Sequence, residues 1–114
     1  LVESFLFMEG KCIVSYIRKK VMDFYGVKPK DLDGIVSQLR NTRGVEVASF
    51  MYELDQNVFK VSLRSGNEVD VSKIAGYFGG GGHEKASGVT MTGTPQDILN
   101  NLAERIDEQL KGQA

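Results

Sequence analysis

The sequence has few of the side chains that covalent or metal chemistry requires. It contains one cysteine, Cys12, and one histidine, His83. A lone cysteine excludes an intramolecular disulfide and fits a reducing environment such as the cytoplasm. One histidine without a cysteine cluster does not build a transition-metal site, and the carboxylates are scattered without a converging pair. We therefore expect neither a metal site nor machinery for activating water in these 114 residues.

The chain also lacks a large net charge and long apolar segments. The 14 basic and 15 acidic residues give a formal charge of −1 at pH 7. The chain as a whole therefore does not attract long nucleic acid, and an anionic ligand would need a local cluster of cations. No segment approaches the ~18 consecutive apolar residues of a membrane span, and no signal peptide is visible. We expect a cytoplasmic protein without membrane contact.

The length and composition that are present fit one small folded domain over residues 1–114. Apolar residues make up 41% and charged residues 25%, which is ordinary for a globular protein. The sequence begins at Leu1, in a strand-like segment and without a methionine. We therefore expect a fragment cut from a longer protein.

Alternating apolar residues predict two β-hairpins. The first covers residues 4–17 around a turn at residues 9–11, and it places Cys12, Val14 and Tyr16 on one face. Cys12 is expected to be a small core residue, because its only conceivable base, His83, lies far away in sequence. The second hairpin joins residues 45–54 to residues 58–65 and is the clearest in the chain.

Helical spacing of apolar residues predicts three helices. The first covers residues 31–41 with Asp31 as its N-cap. The second covers residues 70–78, with Asp70 at its start and Gly79 ending it in the left-handed conformation. The third covers residues 94–111, with Thr94 as N-cap and Pro95 in the first turn. These elements predict an α/β (α+β) fold: a mixed or antiparallel central sheet with helices packed on it.

The strand over residues 58–65 has one apolar and one polar face. Phe59, Val61 and Leu63 share the face that we expect to be buried. The other face carries a lysine, a serine and an arginine, namely Lys60, Ser62 and Arg64. This face is either simply solvated or, if an anion lies within reach, part of a binding site.

The segment YFGGGGHEKASG, residues 77–88, contains four consecutive glycines before the only histidine. A flexible linker is one interpretation of the run. The other is an anion site, because glycines leading into a short helical turn within HEKASG expose backbone N–H groups and a helix dipole. Neither a P-loop nor a Rossmann loop fits the sequence. His83 is either a surface residue or a donor to a phosphate oxygen.

Residues 60–88, together with the upstream segment around Gly34, Arg40 and Gly44, carry a family resemblance. The chain resembles the C-terminal, DHH-associated domain of the DHH phosphoesterase superfamily. The resemblance is strongest to the branch of oligoribonucleases and 3′-phosphoadenosine-5′-phosphate (pAp) phosphatases, which is related to RecJ. The matching positions form the patterns Ser-x-Arg-Ser, Gly-Gly-Gly-His and Ala-Ser-Gly: Ser62, Arg64, Ser65, Gly80, Gly81, Gly82, His83, Ala86, Ser87 and Gly88.

The resemblance implies a substrate-binding role. In the family, this domain binds a nucleotide or short oligonucleotide and presents it to a separate N-terminal domain. That domain carries the Asp-His-His motif and two manganese ions. The full-length parent would be a hydrolase and a homodimer is a further expectation, whereas this fragment alone is predicted to be inactive and to hold no cofactor.

The same resemblance assigns roles to individual residues. Arg64 would bind a phosphate, with Ser62 and Ser65 donating hydroxyl hydrogen bonds. The amides of Gly80, Gly81 and Gly82 would cradle the same or the next phosphate, and His83 would reach the scissile region. Arg40 and Asn67 would lie at the nucleotide rim. Two alternatives stay open: a phosphodiesterase for a cyclic dinucleotide, and a non-catalytic nucleic-acid-binding module.

Overall fold

The computed structural model describes residues 3–112 and contains a six-stranded mixed sheet with helices on both faces. The predicted domain limits at residues 1 and 114 lie outside this range. The elements in chain order are β1 Glu3–Phe7, β2 Cys12–Ile17, α1 Lys19–Tyr25, a 3₁₀ helix Pro29–Leu32, α2 Ile35–Arg40, β3 Val47–Asp55, β4 Val58–Ser65, α3 Val71–Tyr77, β5 Gly81–His83, β6 Ala86–Thr92 and α4 Pro95–Lys111. The predicted α+β fold class is confirmed.

The strand order in the sheet is β1-β2-β3-β4-β6-β5. Strands β2 and β3 are parallel, and every other neighbouring pair is antiparallel. A parallel pair needs a long crossover, and here the crossover contains α1, the 3₁₀ helix and α2. Both predicted hairpins, β1–β2 and β3–β4, are present with the predicted pairing.

Each face of the sheet has its own apolar core. Helices α3 and α4 cover the face that contains Phe59, Val61 and Leu63, all of which are fully buried. The crossover helices cover the other face, where Ala48 and Phe50 of β3 are buried. The second layer does not extend to the far strands, because Lys60 of β4, Thr90 of β6 and all of β5 are exposed. One corner of the sheet therefore has an open face.

The two helices that precede and follow the glycine run begin and end as predicted. Asp70 accepts hydrogen bonds from the amides of Ser72 and Lys73 at the start of α3. Beyond its end, Gly79 has φ +92°, and the amide of Gly80 donates to the carbonyl of Ala75 at 2.8 Å. This is the Schellman arrangement that a left-handed residue permits. Helix α4 begins at its predicted N-cap, whose hydroxyl accepts a hydrogen bond from the Asp97 amide at 3.1 Å.

The predicted helix over residues 31–41 is wrong in its first half. Asp31 does not cap an α-helix; it lies in the 3₁₀ helix, where its carboxylate accepts a hydrogen bond from the Lys28 amide at 2.8 Å. Gly34 then has φ +86°, so the chain turns before α2 begins at Ile35. The apolar spacing survives this break because Leu32 and Val36 are both buried.

Helix α1 was not expected from the sequence. It has seven residues, no side-chain hydrogen bond at its N-terminus and a single buried residue, Met22. Phe24 and Tyr25 are exposed, with 80% and 58% of their surfaces accessible. The helix therefore lacks both the capping residue and the apolar stripe that predict a helix from sequence.

Candidate functional site

The structure corrects the prediction for the segment after the glycine run. HEKASG contains no helical turn: residues Gly81–His83 form strand β5, Glu84 and Lys85 form a tight turn, and Ala86 begins β6. Strand β6 pairs with β4 along its whole length, and β5 pairs with the outer side of β6. The proposed helix dipole at this position is therefore absent, and the site is the edge of a sheet.

Three of the four glycines are required by the domain itself. Gly79 has the positive φ described above. A Cβ on Gly80 would lie 2.3 Å from the carbonyl oxygen of Gly88, and a Cβ on Gly82 would lie 2.6 Å from that of Ala86. Gly81 differs, because a Cβ there would meet nothing within 4 Å and its φ is not in the left-handed region. Only at Gly81 does the fold leave the absence of a side chain unexplained.

The β-ladders bring the arginine and the histidine of the motif together. Arg64 pairs with Ala86, which pairs with His83 on its other side. Residues that pair directly in an antiparallel ladder point to the same face of the sheet. The two side chains therefore rise from the same face, with their Cα atoms about 10 Å apart, which is two strand spacings.

The surface between these two side chains is nearly bare. The next row of the ladder is Ser62, Gly88 and Gly81, so small residues separate β4 from the sheet edge. We call this surface the polar shelf; it consists of Lys60, Ser62, Arg64, Gly81, His83, Ala86 and Gly88. Its charged groups are a lysine and an arginine, and none of its residues is acidic.

A groove borders the shelf on the side of the crossover helices. Its volume is about 260 Å³. Phe50 and Tyr52 of β3 line its floor. The crossover segment forms its outer wall with Pro29, Lys30, Leu32, Asp33, Gly34 and Val36. Lys60, Ser62 and Arg64 of β4 line it as well. The groove and the shelf are therefore continuous along β4.

Two predicted site residues lie behind the shelf instead of on it. Ser65 points to the opposite face from Arg64 and is 6% exposed. Its hydroxyl donates its proton to the carbonyl of Glu84 at 3.2 Å, so in this structure it is not available to a phosphate. The side-chain carbonyl of Asn67 accepts a hydrogen bond from the ammonium of Lys85 at 2.9 Å. Both residues hold the turn of the β5–β6 hairpin.

Arg40 lies at the end of β4 beside Gly66. A Cβ on Gly66 would be 2.4 Å from Nη2 of Arg40 and 2.5 Å from Oε1 of Glu46. The buried carboxylate of Glu46 accepts hydrogen bonds from the amides of Gly66 and Val69, at 3.1 and 2.9 Å. Arg40 and Glu46 thus enclose the turn that follows β4, and the place of Arg40 at the nucleotide rim stays a prediction.

Two further residues line this region: Lys60, which sequence reasoning placed on the polar face of β4 without a role, and Tyr52, which it did not name. The side chain of Lys60 extends toward β6, with its ammonium 3.7 Å from where a Cβ on Gly88 would lie. Its alternation with Ser62 and Arg64 was a sufficient signal for including it. Tyr52 pairs with Lys60 across the β3–β4 ladder. Only the register of that ladder places Tyr52 in the groove.

The cysteine and the acidic residues within residues 3–112 form no second candidate site. Cys12 is fully buried, and burial is the main reason why its thiol has a pKa raised to about 12. This confirms Cys12 as a core residue. Within residues 3–112, no group of three or more histidine, cysteine or acidic side chains is placed to hold a metal ion. No helix in the same range is both long and apolar enough to cross a membrane.

The fold and the site together define a class. The mixed sheet is flanked by helices, with the Gly81–His83 strand at its edge and β6 between it and the arginine-bearing β4, and the chain matches the DHHA1 domain of DHH phosphoesterases. The chain belongs to the DHHA1 domain family, whose model matches residues 9–112.

Two curated relatives of the chain are named as oligoribonucleases. The chain is 35% identical to the oligoribonuclease NrnB of Bacillus subtilis, in an alignment that covers 92% of this chain and 29% of that protein. It is also 35% identical to the bifunctional oligoribonuclease and PAP phosphatase NrnA of Thermus thermophilus, over 71% of this chain and 25% of that protein. The chain thus spans less than a third of the length of these relatives.

A solved structure shares the fold. The exopolyphosphatase-related protein from Bacteroides fragilis superposes with a TM-score of 0.83 and 22% sequence identity. The superposition covers 95% of this chain and 32% of that chain. At this identity, the likeness concerns the fold alone.

Proposed function

We propose that this chain is the substrate-binding domain of a phosphoesterase and that it binds a nucleotide phosphate on the polar shelf. The observation that supports the proposal most strongly is the common face shared by Arg64 and His83, with only small residues between them. A phosphate needs cations and donors around it and no side chain beneath it. The shelf supplies both conditions at an exposed corner of the sheet.

Each residue of the shelf has its own role in the proposed site. The guanidinium of Arg64 would present a planar fork of donors to two phosphate oxygens. In this structure its Nη1 donates to the carbonyl of Leu63 at 3.0 Å, and the bound phosphate would replace that acceptor. Ser62 donates a hydroxyl hydrogen bond from the same strand, and Lys60 adds a second positive charge. Strand β5 is an edge strand, so alternate amides along it point away from β6 and are free to donate. Gly81 lets the phosphate approach this edge.

The other residues predicted for the site stabilise the backbone that carries the shelf. Gly80 and Gly82 allow the hairpin backbone to lie close against β6. Ser65 and Asn67 fix the turn of the hairpin, and Arg40 fixes the turn after β4. His83 stands exposed at the outer end of the shelf, facing away from the core, where a second, catalytic domain would meet it.

For the whole protein, we propose a manganese-dependent hydrolase that degrades short oligoribonucleotides or dephosphorylates pAp. The names of the relatives support this reaction class. The metal ions would belong to a separate catalytic domain with the Asp-His-His motif. A two-metal centre activates water and stabilises the displaced oxygens, and residues 3–112 contain no group suited to that task. A homodimer and a cytoplasmic location remain further predictions.

An arginine substitution tests the shelf directly. Replacing Arg64 with alanine removes a charge-assisted bond worth about 1.5–3 kcal/mol, so the affinity for AMP should fall roughly tenfold to a hundredfold. The domain should keep its stability, because Arg64 lies on the face opposite the core residues Val61 and Leu63. Titration of the chain with AMP, followed by NMR chemical shifts, measures this loss.

Arg43→Ala is the matched control. Arg43 is exposed in the turn after α2 and is not a residue of the shelf or the groove. It carries the same charge as Arg64, so its removal reports the contribution of net charge alone. Equal AMP affinities for Arg64→Ala and Arg43→Ala would contradict the proposed function.

A further inference from the structure

The groove beside the shelf differs from the shelf in chemistry. Its outer wall is mixed: beside Pro29, Leu32 and Val36 it contains Gly34 and two charged residues, Lys30 and Asp33. Its floor contains the aromatic rings of Phe50 and Tyr52. Phe50 is almost fully buried, but Tyr52 is only partly buried and offers its ring to the groove. A phosphate gains nothing from an aromatic ring, because the ring's apolar surface makes no hydrogen bonds to it.

The groove is placed to receive another part of the same ligand. Arg64 and Ser62 line both the groove and the shelf. Tyr52 is two residues from Phe50 along β3, and it pairs with Lys60, at the far end of the polar row from Arg64. Side chains on one face of a strand are about 7 Å apart, so Lys60 and Arg64 mark a length of about 13 Å. A ligand held by Arg64 therefore reaches Tyr52 without leaving the surface of the sheet.

We propose that the groove binds the nucleobase of a nucleotide whose phosphate lies on the polar shelf. This inference rests on the proposed function, because it takes the phosphate position from the shelf. A nucleobase has two apolar faces and a polar edge, and stacking on an aromatic side chain is tolerant of base identity. Tyr52 supplies the stacking surface, and the wall formed by Pro29 and Leu32 covers the opposite face of the base. Arg64 lies at the boundary between the groove and the shelf, on the side of the phosphate, and Lys60 lies beside Tyr52 at the other end of the row.

The inference distinguishes nucleotides from other phosphate compounds. AMP and ribose 5-phosphate share the phosphate and the sugar, and only AMP has a base. Base stacking on a protein aromatic residue corresponds to at least about a fivefold gain in affinity. We therefore expect the chain to bind AMP about tenfold more tightly than ribose 5-phosphate. The amide of Gly34, which lines the groove, should shift with AMP and not with ribose 5-phosphate.

Variants at Tyr52 test the stacking surface itself. Tyr52→Leu keeps an apolar side chain but removes the ring, so its affinity for AMP should fall to that for ribose 5-phosphate. Its affinity for ribose 5-phosphate should stay unchanged. Tyr52→Phe keeps the ring and should retain the full preference for AMP. Arg64→Ala should weaken both ligands equally.

The outcomes separate the two proposals. If the wild-type chain binds both compounds equally, or if Gly34 shifts with both, the base site is overturned while the phosphate shelf stands. If Tyr52→Leu weakens both ligands to the same degree, Tyr52 has a structural role and the base site is overturned. If neither compound binds at millimolar concentration, the proposed function fails together with the base site. The Gly34 shift requires no variant, so it decides the question even if Tyr52→Leu does not fold.

Discussion

Adjacent glycines in this chain differ in what surrounds them. Gly80 is packed against the backbone of β6, where an added Cβ would lie 2.5 Å from the Cβ of Val89. Gly81 faces open space, and its φ lies outside the left-handed region. A glycine that the fold does not require reduces stability through unfolded-state entropy, unless a ligand needs the space. The two positions therefore offer a matched pair for testing the ligand hypothesis.

Alanine at each position should have opposite effects. Gly81→Ala should leave the free energy of unfolding unchanged or raise it by about 0.4–1 kcal/mol, and it should weaken AMP binding. Gly80→Ala should lower the free energy of unfolding by on the order of 1–3 kcal/mol, because the backbone of β6 must move. Thermal melts and AMP titrations of both variants measure these effects. A more stable Gly81→Ala chain with intact AMP binding would leave the phosphate role of this glycine without support.

The β5–β6 hairpin depends on hydrogen bonds from neighbouring elements. Its turn is held at the carbonyl of Glu84, which accepts from the hydroxyl of Ser65 and, at 2.8 Å, from the amide of Val71. The hydroxyl of Ser87 donates to the carbonyl of Val71 at 2.8 Å. The end of β4 and the start of α3 therefore both fix the position of the hairpin, and with it the position of His83.

Removing the Ser65 hydroxyl should loosen this hairpin selectively. Ser65→Ala loses one bond, and the Glu84 carbonyl keeps its bond to Val71, so the cost should be about 0.5–1.5 kcal/mol. Amide hydrogen exchange at His83 and Ala86 should accelerate severalfold, while exchange in β3 stays unchanged. If Ser65 instead donates to the ligand, AMP binding will weaken with no change in exchange at the hairpin. That result would restore Ser65 to the shelf.

Local patterns predicted most of the elements but not the edge hairpin. The strands β3 and β4 and the helices α3 and α4 have apolar periodicity and capping residues that act over a few positions. Strand β5 consists of two glycines and a histidine, so it has no side-chain pattern, and it exists only because β6 is there to pair with it. The break between the 3₁₀ helix and α2 at Gly34 was not predicted for a different reason: the apolar spacing continues across it.

At the scale of the molecule, the site depends on strand order. The shelf combines β4, β6 and β5, which are neighbours in the sheet although α3 separates β4 from β5 in the chain. The motif predicted Arg64, Ser62, Gly81 and His83 as a group, but it did not separate them from Ser65, which faces the other way. That separation follows from strand alternation once the register is known. The groove could not be predicted from the sequence, because it forms only where the crossover helices pack against β3.

At the scale of the whole domain, the proposed binding site is not accompanied by a metal-holding group within residues 3–112. Its ionisable residues within the described range form no metal-binding group, and its only cysteine is buried. We therefore expect the purified chain, supplied with manganese, to release no mononucleotide from a short oligoribonucleotide above the rate in buffer. The same preparation should show AMP-dependent chemical shifts at Gly81 and His83, which proves that the inactive domain is folded and able to bind. Manganese-dependent cleavage that survives repurification and disappears in His83→Ala would show that the domain contains a catalytic centre of its own.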